Sequence, residues 1–458
     1  MYQINFTHPV SVHFIGIGGI SMSGLAEILM DQGFSVSGSD AKPSPLTKRL
    51  ASKGAVIYYG QRAENLSDSI DLVVYTSAIH PENPEYIAMQ EMGIPSLTRA
   101  QLLGQMMKNY ELPIAISGTH GKTTTTSMVS EILLEADADP TLSIGGILKA
   151  INGNIRIGHG SCFVTEACEY TNSFLSFFPK ISIILNVEED HLDFFKDIKD
   201  IRSSFHRFAA LLPKDGTLII NGEIPEIHTI TGGLGCRIIT YGSTEIYDYH
   251  PEQIDYKDGC ANFLIVGKNG LREKISLSVP GRHNVYNAMA AIALADLLAI
   301  DFSVVKKALL HFHGTDRRFE YKGKVNGVTI IDDYAHHPTE ITATLNAAQN
   351  YPHKTLWCVF QPHTFSRTKA FMKEFAKALS LADRVVLADI YPARETDDLG
   401  ISSKTLKEEI EALGKTCCYF PSFEEIENFL LKNCTQNDLL ITMGAGDVLN
   451  IGEDLLKQ

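Results

Sequence analysis

The segment 112–126, Leu-Pro-Ile-Ala-Ile-Ser-Gly-Thr-His-Gly-Lys-Thr-Thr-Thr-Thr, constrains the fold more than any other part of the sequence. Its apolar residues 114–116 predict a buried strand, residues 117–121 a tight loop and residues 123–135 a helix. Backbone N–H groups converge where a glycine-rich loop opens a helix, and the helix dipole favours an anion at that point. The segment therefore predicts a phosphate-binding loop inside an α/β fold.

Within this loop the pattern Gly118-x-x-Gly121-Lys122-Thr123 is shorter than the usual phosphate-binding motif, because Ile116 takes the place of the first glycine. The lysine can reach the β- and γ-phosphates, and the threonine hydroxyl can bind Mg²⁺. An ordinary loop is the alternative, but the strand before it, the helix after it and the run of threonines favour nucleotide binding. The residues expected to contact the nucleotide are Gly118, Thr119, His120, Gly121, Lys122, Thr123 and Thr124.

The composition is that of a globular protein with room for about three domains, since single cores rarely grow past ~250 residues and the chain has 458. The net charge of −14 argues against nucleic acid or an anionic membrane as the main partner. Eight cysteines without metal-type spacing suit reduced thiols. With no secretory signal and no apolar run long enough to span a bilayer, the sequence predicts a cytoplasmic protein.

The N-terminal region follows the βαβ plan of a dinucleotide-binding domain. A strand over 10–17 leads into the glycine-rich segment 16–24, a helix covers 25–30, and a second strand over 34–38 ends at Ser39-Asp40. Because Ser21 stands at the last glycine position of the motif, NAD(P) is one possible ligand and a UDP-sugar, which has the same pyrophosphate and a ribose, is another. Further strands are expected at 72–75 and 94–95, and the domain should close near Met107.

Two central strands end in polar residues close to the phosphate loop. The strand 161–165 leads to Glu166, and the strand 181–185 leads to the segment 186–193, which contains Asp190 and His191. A carboxylate and an imidazole at neighbouring strand ends suit one or two Mg²⁺ ions, although Asp190 and His191 could instead cap a helix. Downstream, the polar segment 280–287 opens a helix expected over 288–299 and could face a nucleotide base.

The C-terminal region, from about residue 314, contains several polar motifs that each follow an apolar, β-rich run. Histidine, arginine and aspartate recur at these predicted strand ends, where doubly wound sheets bind their ligands. The motifs lie at 314–320, 330–338, 359–367, 389–395 and 440–447.

Taken together, these motifs resemble the Mur ligase family, the ATP-dependent amide-forming enzymes of bacterial cell-wall synthesis. Residues 118–124 resemble its ATP loop, 281–288 its adenosine region and 332–338 its third-domain hinge motif. The N-terminal glycine loop with Ser39-Asp40, and the segments 361–363 and 389–395, resemble the branch of the family that adds L-alanine. The resemblance runs through essentially the whole chain in the same order.

The resemblance implies three α/β domains: a Rossmann-like UDP-sugar-binding domain over 1–107, a central P-loop ATPase-like domain with a mostly parallel sheet over 108–314, and a doubly wound Rossmann-like substrate-binding domain over 315–458. It implies that ATP and Mg²⁺ are used to join L-alanine to the lactyl carboxylate of UDP-N-acetylmuramate through an acyl phosphate. The chain would then serve peptidoglycan precursor synthesis, and with it cell shape and division, as a monomer or weak homodimer.

The resemblance also implies roles for individual residues. Lys122, Glu166, His191 and Arg367 would be catalytic, with Thr123, Glu166 and His191 as metal ligands. Besides the phosphate loop, the nucleotide would contact His283, Asn284, Asn287, Arg318 and Asp332. The substrates would contact Gly18, Gly19, Ser39, Asp40, His337, His363, Arg367 and Arg394.

Two departures from the family pattern stand out. The run after Glu166 is less acidic than in many relatives, and Thr364 stands where an arginine is frequent, which leaves Arg367 with more of one carboxylate contact. The segment after His191 shows no counterpart of the modified lysine of later Mur ligases, in agreement with an alanine-adding member.

Rival functions remain at this point. The murein-peptide recycling branch, which attaches a ready-made tripeptide to the same UDP-sugar, shares nearly every motif. Folate-polyglutamylating ligases fit the central loop but not the N-terminal domain. A P-loop regulator that hydrolyses ATP slowly would leave the predicted metal residues without a role, and an NAD(P) dehydrogenase would leave Lys122 without one.

Overall fold

The computed structural model describes residues 2–76, 78–257, 259–393, 395–396 and 399–457. Arg394, a predicted substrate residue, lies outside the described residues. The described chain contains three sheets of five, ten and six strands, which follow one another along the sequence. The predicted three-domain α/β architecture is confirmed.

The first sheet is parallel, with strand order β3-β2-β1-β4-β5. The expected strand at 94–95 begins slightly later, at Ser96, and the other predicted strands lie within two residues of their observed positions. The elements are β1 (Ser11–Ile15), α1 (Ile20–Asp31), β2 (Ser35–Asp40), α2 (Pro45–Ser52), β3 (Val56–Tyr59), β4 (Leu72–Tyr75), α3 (Pro84–Glu91), β5 (Ser96–Thr98) and α4 (Arg99–Met107).

The central sheet has the strand order β15-β14-β13-β12-β11-β10-β6-β9-β7-β8, in which the β13–β15 meander and the edge strand β8 are antiparallel. Its elements are β6 (Leu112–Ser117), α5 (Lys122–Glu135), β7 (Thr141–Leu148), β8 (Gly153–Arg156), β9 (Cys162–Ala167), β10 (Ile181–Ile184), α6 (Ile198–Ala209), β11 (Thr217–Asn221), α7 (His228–Thr231), β12 (Arg237–Tyr241), β13 (Tyr249–Lys257), β14 (Cys260–Gly267), β15 (Arg272–Pro280), α8 (His283–Leu297) and α9 (Phe302–His311).

The position of β6 in the sheet determines where the polar residues at the strand ends meet. This strand pairs in parallel with β10 on one side and β9 on the other, and its Ile116 is in register with Glu166. Because parallel strands end at the same edge of a sheet, the phosphate loop, Glu166 and the segment after β10 meet there.

The third sheet has the order β16-β17-β21-β18-β19-β20 and is parallel apart from the β16–β17 hairpin. Its elements are β16 (Glu320–Val325), β17 (Val328–Asp333), α10 (Pro338–Gln349), β18 (Leu356–Phe360), α11 (Phe365–Ala370), α12 (Met372–Leu379), β19 (Arg384–Leu387), α13 (Ser403–Ala412), β20 (Thr416–Tyr419), α14 (Phe423–Asn433), β21 (Leu439–Met443) and α15 (Leu449–Leu455).

The first two sheets share a hydrophobic core, whereas the third has its own. Leu102 and Met106 of α4 belong to the same buried cluster as Phe163 and Phe174 of the central region. Gly104 allows this contact, because a Cβ there would lie 1.9 Å from the carbonyl oxygen of Ser176. Alternate residues of the third sheet contribute to two separate clusters, one on each face.

The helix α4 ends at Met107 and β6 begins at Leu112, while β16 begins at Glu320. The boundaries placed after residues 107 and 314 stay predictions. Among the described residues, no helix combines the length and apolar character needed to cross a lipid bilayer.

Candidate active site

The phosphate loop is shaped by glycine geometry and by Asn186. Gly118 and Gly121 have φ values of 146° and 81°, in the left-handed region that favours glycine. The His120 backbone N–H donates to the Asn186 side-chain oxygen at 2.7 Å, and the Asn186 amide donates back to the His120 carbonyl at 3.0 Å. A Cβ on Gly121 would lie 2.7 Å from Oδ1 of Asn287. The phosphate loop is thus fixed between the segment that follows β10 and the first turns of α8.

The ammonium group of Lys122 is bound by the protein itself. Its Nζ donates to the carbonyl oxygens of Gly118 at 2.5 Å and Thr119 at 3.1 Å, and it forms an ion pair with Glu169 at 2.9 Å. Burial opposes the lysine charge, but Glu169 raises the pKa of Lys122 above its ordinary value. The sequence motifs did not identify Glu169, although it follows β9 at the same edge as Glu166.

Thr123 and Glu166 form the second polar pair of this edge. The Thr123 hydroxyl donates to a Glu166 carboxylate oxygen at 3.1 Å, and the Gly145 N–H donates to the other oxygen at 2.5 Å. Burial raises the pKa of Glu166. A hydroxyl and a desolvated carboxylate side by side are oxygen ligands of the kind that Mg²⁺ prefers.

His191 lies beside Glu169, the carboxylate that pairs with Lys122. Its Nε2 atom is 4.0 Å from Oε1 of Glu169 and 3.7 Å from Oδ2 of Asp190, and its ring stacks on Tyr170 with centroids 4.5 Å apart. His191 does not cap a helix; it has a left-handed backbone with φ 53° in the loop after β10. The structure therefore brings His191 to the edge that carries Lys122.

A cavity of about 620 Å³ opens next to the phosphate loop and is shared by the central and third domains. Burial and the neighbouring Arg318 guanidinium lower the pKa of His283 to about 4, so this lining imidazole is neutral near pH 7. Most of the exposed surface of the cavity is apolar, as expected of a site for a nucleoside. The predicted nucleotide residues that line the cavity are His120, Gly121, Thr124, His283, Asn284, Asn287 and Arg318.

The structure does not bring Asp332 to this cavity. Its carboxylate is 1% exposed, pairs with Nε of Arg317 at 3.0 Å and accepts a hydrogen bond from Thr442 at 2.7 Å. The cavity residue is Asp333, whose pKa burial raises to about 6. Adjacent residues of β17 point to opposite faces of the sheet, and the sequence does not show which aspartate faces the ligand.

Contacts between the central and third domains surround His120. Its Nδ1 atom is 3.3 Å from Glu340 and its Nε2 atom 3.6 Å from Glu188. Burial opposes a charge on His120, but the two carboxylates outweigh burial and raise its pKa to about 9. His120, Glu188 and His337 place potential ligand atoms within 4.8 Å of one another. A protonated imidazole has no lone pair for a metal, so this cluster disfavours a cation in the state described.

Arg367 of the third domain also contacts the central domain. Its guanidinium pairs with Asp190 at 3.1 Å and lies 3.2 Å from Nδ1 of His363. Burial and Arg367 lower the pKa of His363 to about 4, and its ring stacks on Tyr391. Thr364 has φ 65° and caps α11, and its hydroxyl accepts the Arg367 N–H at 3.4 Å. Arg367 and His363 thus lie side by side, and Nε2 of His337 is 3.1 Å from the Glu189 carbonyl oxygen nearby.

In the first domain, Gly18 and Asp40 are brought together but the Ser39 side chain is turned away. The Gly18 N–H donates to Asp40 at 2.8 Å, and Gly19 precedes α1 at the helix start. The Ser39 side chain is fully buried and donates to Glu85 at 2.5 Å. Because neighbouring residues of β2 face opposite ways, only Asp40 faces the loop, and the expected Ser39 side-chain contact is not supported by this placement.

Arg99, the first residue of α4, was not identified from the sequence. Its Nη1 atom donates to Ser21 at 3.2 Å, next to the first glycine loop, and the nearby thiol of Cys168 belongs to the central domain. Burial lowers the pKa of Arg99, and among the described residues no carboxylate oxygen lies within 4.0 Å of its guanidinium. A half-buried cation without an anion between two domains suits an anionic ligand.

Known proteins resemble this chain over its full length. A model of the Mur ligase family catalytic domain matches residues 11–111, a model of the Mur ligase middle domain residues 116–295, and a model of the Mur ligase glutamate ligase domain residues 317–446. The UDP-N-acetylmuramate–L-alanine ligase of Agathobacter rectalis is 61% identical over 459 residues, covering 100% of both chains.

Solved structures of related ligases have the same fold over nearly the whole chain. A UDP-N-acetylmuramate–alanine ligase from Thermotoga maritima superposes with a TM-score of 0.81 at 30% identity, covering 98% of each chain. A murein peptide ligase from Psychrobacter arcticus gives 0.72 at 26% identity, again covering 98% of each chain. Since three family models match successive parts of the chain and one relative is alike over its whole length, the chain belongs to the Mur ligase family.

Proposed function

We propose that the protein is an ATP-dependent ligase that joins L-alanine to the lactyl carboxylate of UDP-N-acetylmuramate, in peptidoglycan precursor synthesis. The observation that carries the proposal is the meeting of Lys122, the Thr123–Glu166 pair and Arg367 around one strand edge, in a chain 61% identical throughout to an enzyme named for this reaction.

ATP fits the cavity and the loop together. The adenosine would occupy the lining between α8 and α10, which includes Asn284, Asn287 and the neutral His283, and Arg318 would approach from the third domain. The triphosphate would extend along the loop to Lys122, which must then exchange Glu169 for phosphate oxygens. The loop N–H groups and the start of α5 complete the anion site.

The residues present also fit magnesium. Thr123 and Glu166 would hold one ion, and His191 would contribute to a second, with Glu169 and Asp190 close enough to support it. When bound, such ions neutralise phosphate charge and hold the reacting oxygens.

The reaction would proceed in two steps, a phosphoryl transfer followed by an acyl transfer. The lactyl carboxylate oxygen attacks the γ-phosphorus of ATP, ADP leaves, and an acyl phosphate forms. The neutral amine of L-alanine then attacks the acyl carbon, inorganic phosphate leaves, and the amine loses a proton. Lys122 offsets the repulsion between the carboxylate and the γ-phosphate, so the protein acts mainly by positioning and charge neutralisation.

The UDP-sugar would extend from the first domain to the central strand edge. Its diphosphate and ribose would lie at Gly18, Gly19 and Asp40. Arg99 lies between that loop and Cys168, and its lack of a carboxylate partner supports a contact with an anionic group of the same substrate.

The amino acid would approach from the third domain. Arg367 pairs with Asp190 in the segment after β10, and it would bind the alanine carboxylate in exchange for Asp190, with His363 and His337 beside it. The segment 389–395 supports this site through Tyr391, which stacks on His363.

Ligation of a tripeptide is the second candidate, because the murein peptide ligase fold covers 98% of this chain. The deciding experiment measures ADP release with UDP-N-acetylmuramate, ATP and Mg²⁺, adding L-alanine, glycine, L-serine or the murein tripeptide in turn. We expect ADP and an alanyl product with L-alanine. ADP formed only with tripeptide would support the second candidate, and ADP without any amide product would support a nucleotide-hydrolysing regulator.

A further inference from the structure

His120 has an unusual place for a phosphate-loop side chain. Its ring lies between two carboxylates from different parts of the molecule, with Glu188 in the loop after β10 and Glu340 in α10 of the third domain. The side chain is 12% exposed, and its ring centroid is 4.8 Å from that of His337. The backbone N–H and carbonyl of His120 are both hydrogen-bonded to the Asn186 side chain, which fixes the point at which the ring leaves the loop.

Glu340 makes two kinds of contact at once. One carboxylate oxygen accepts the backbone N–H groups of His336 at 3.1 Å and His337 at 3.3 Å, which caps the start of α10. The other oxygen faces Nδ1 of His120 at 3.3 Å and the Arg318 guanidinium at 3.8 Å. A single side chain therefore orders the third-domain helix and contacts the phosphate loop.

Glu340 and His120 are each surrounded by groups that favour their charged forms. Burial opposes ionisation of Glu340, but His336, His120 and Arg318 hold the pKa of its carboxyl well below the ordinary value. The groups that face His120 are Glu188, Glu340 and His337, and the carboxylates raise the His120 pKa despite burial. Removing the third domain from the loop would take away Glu340, and the imidazole would then release its proton more readily.

We propose that Glu340 is a positioning residue that joins the third domain to the phosphate loop through its contact with the ring of His120. The inference rests on the function proposed above, because it assigns Glu340 a part in assembling that site. Loss of the His120 proton therefore disfavours closure of the third domain around ATP, and closure in turn makes the proton harder to lose.

The direction of the pH dependence follows from linkage. A histidine whose pKa is raised in the closed state stabilises that state fully below its ordinary value of about 6.5, and the contribution is lost as pH rises through about 9. Between those values closure weakens by at most about ten-fold per pH unit.

The experiment compares Glu340→Gln with Glu374→Gln, an exposed glutamate at the same third position of α12. Glutamine can still cap α10, so the melting temperature of both variants should stay near that of the wild type. We expect wild-type kcat/KM for ATP to fall between about pH 6.5 and pH 9, where closure weakens, and to level off above pH 9. In Glu340→Gln the fall should end about one pH unit lower, and kcat/KM at pH 7.5 should drop on the order of ten-fold. Glu374→Gln should match the wild type throughout.

A third variant, His120→Gln, removes the titrating ring. Its alkaline fall should be lost, and adding Glu340→Gln to it should change kcat/KM less than in the wild type. A Glu340→Gln profile that superimposes on the wild-type profile would overturn the inference.

A direct titration separates this inference from the proposed function. In protein with ¹³C-labelled histidine, the resonance that disappears in His120→Gln should titrate near pH 9 in the wild type and lower in Glu340→Gln. A wild-type resonance that titrates near 6.5 overturns the inference even in an active enzyme. Absence of any alanyl product, with the expected titration intact, would instead refute the proposed function.

Discussion

Two cations that the candidate site would use on anionic ligands are each bound by a carboxylate of the protein in this structure. Lys122 pairs with Glu169, and Arg367 pairs with Asp190. Both carboxylates belong to the segments that follow β9 and β10. These internal partners lower the free-energy cost of keeping the two cations in a partly desolvated site. ATP and the amino acid must therefore replace the carboxylates when they bind.

Replacing Glu169 with glutamine should leave Lys122 without its partner. Breaking a buried ion pair costs roughly 3–5 kcal/mol, and less here because Lys122 is partly exposed. We expect a lower melting temperature without nucleotide and a smaller deficit with a non-hydrolysable ATP analogue and Mg²⁺, measured by thermal denaturation. An equal deficit in both conditions would contradict exchange of Glu169 for phosphate.

Replacing Lys122 with alanine should abolish ADP formation while leaving UDP-N-acetylmuramate binding almost normal. Losing a group that stabilises charge in the transition state costs roughly 3–4 kcal/mol, on the order of 10²–10³ in kcat. Steady-state turnover and calorimetric titration with the UDP-sugar give the two readings. Full ATP turnover in this variant would refute the role given to the lysine.

At the level of elements, α4 joins the first domain to the central one. Its apolar side chains enter the shared core, and Gly104 brings the helix backbone close to Ser176. The same helix begins at Arg99, which connects the first glycine loop to the central strand edge. Packing of α4 therefore sets the distance that the UDP-sugar has to span.

Replacing Gly104 with alanine should destabilise the protein and weaken UDP-sugar binding together. Overpacking of this kind costs typically about 1–3 kcal/mol, because the added Cβ meets a backbone oxygen that cannot rotate away. Gly235→Ala is the control, since the Cβ there would meet only Lys214 at 3.7 Å. Chemical denaturation and calorimetric titration provide the measurements, and wild-type stability in Gly104→Ala would contradict this account of the interface.

Sequence patterns predicted the strands that carry the site, because apolar runs followed by glycine or polar residues identify strand ends well. The phosphate loop, Glu166 and His191 could be placed at one edge for that reason. The patterns could not choose between neighbours on a strand, so Ser39 and Asp332 were selected although their side chains are buried. Glu169, Arg99 and Glu340 escaped notice because their roles depend on contacts between segments far apart in the sequence.

At the scale of the whole molecule, two domains share a core and the third is attached differently. Polar contacts join it to the central domain, through Glu340 and His120, Thr339 and Glu188, and Arg367 and Asp190. Polar contacts of this kind exchange readily with ligands and water, whereas a shared apolar core does not. Movement of the third domain is therefore the expected gating step.

Replacing Asp190 with asparagine should loosen the third domain in the absence of ligands. The Arg367 guanidinium would lose its charged partner, so we expect a larger radius of gyration by small-angle X-ray scattering than in the wild type. The difference should vanish when an ATP analogue, UDP-N-acetylmuramate and Mg²⁺ are bound. The control is Asp68→Asn, an exposed aspartate of the first domain, and equal radii in all three unliganded proteins would contradict this role.

The helix α10 supplies Ala343 and Ala347 to the cavity beside the phosphate loop, so part of the nucleoside wall comes from the third domain. Because that domain is expected to move, we expect the wall to be complete only in the closed arrangement and to hinder exchange of an adenine ring there. Initial-rate kinetics should consequently show compulsory order, with ATP adding before the amino acid and ADP departing only once the wall has been withdrawn.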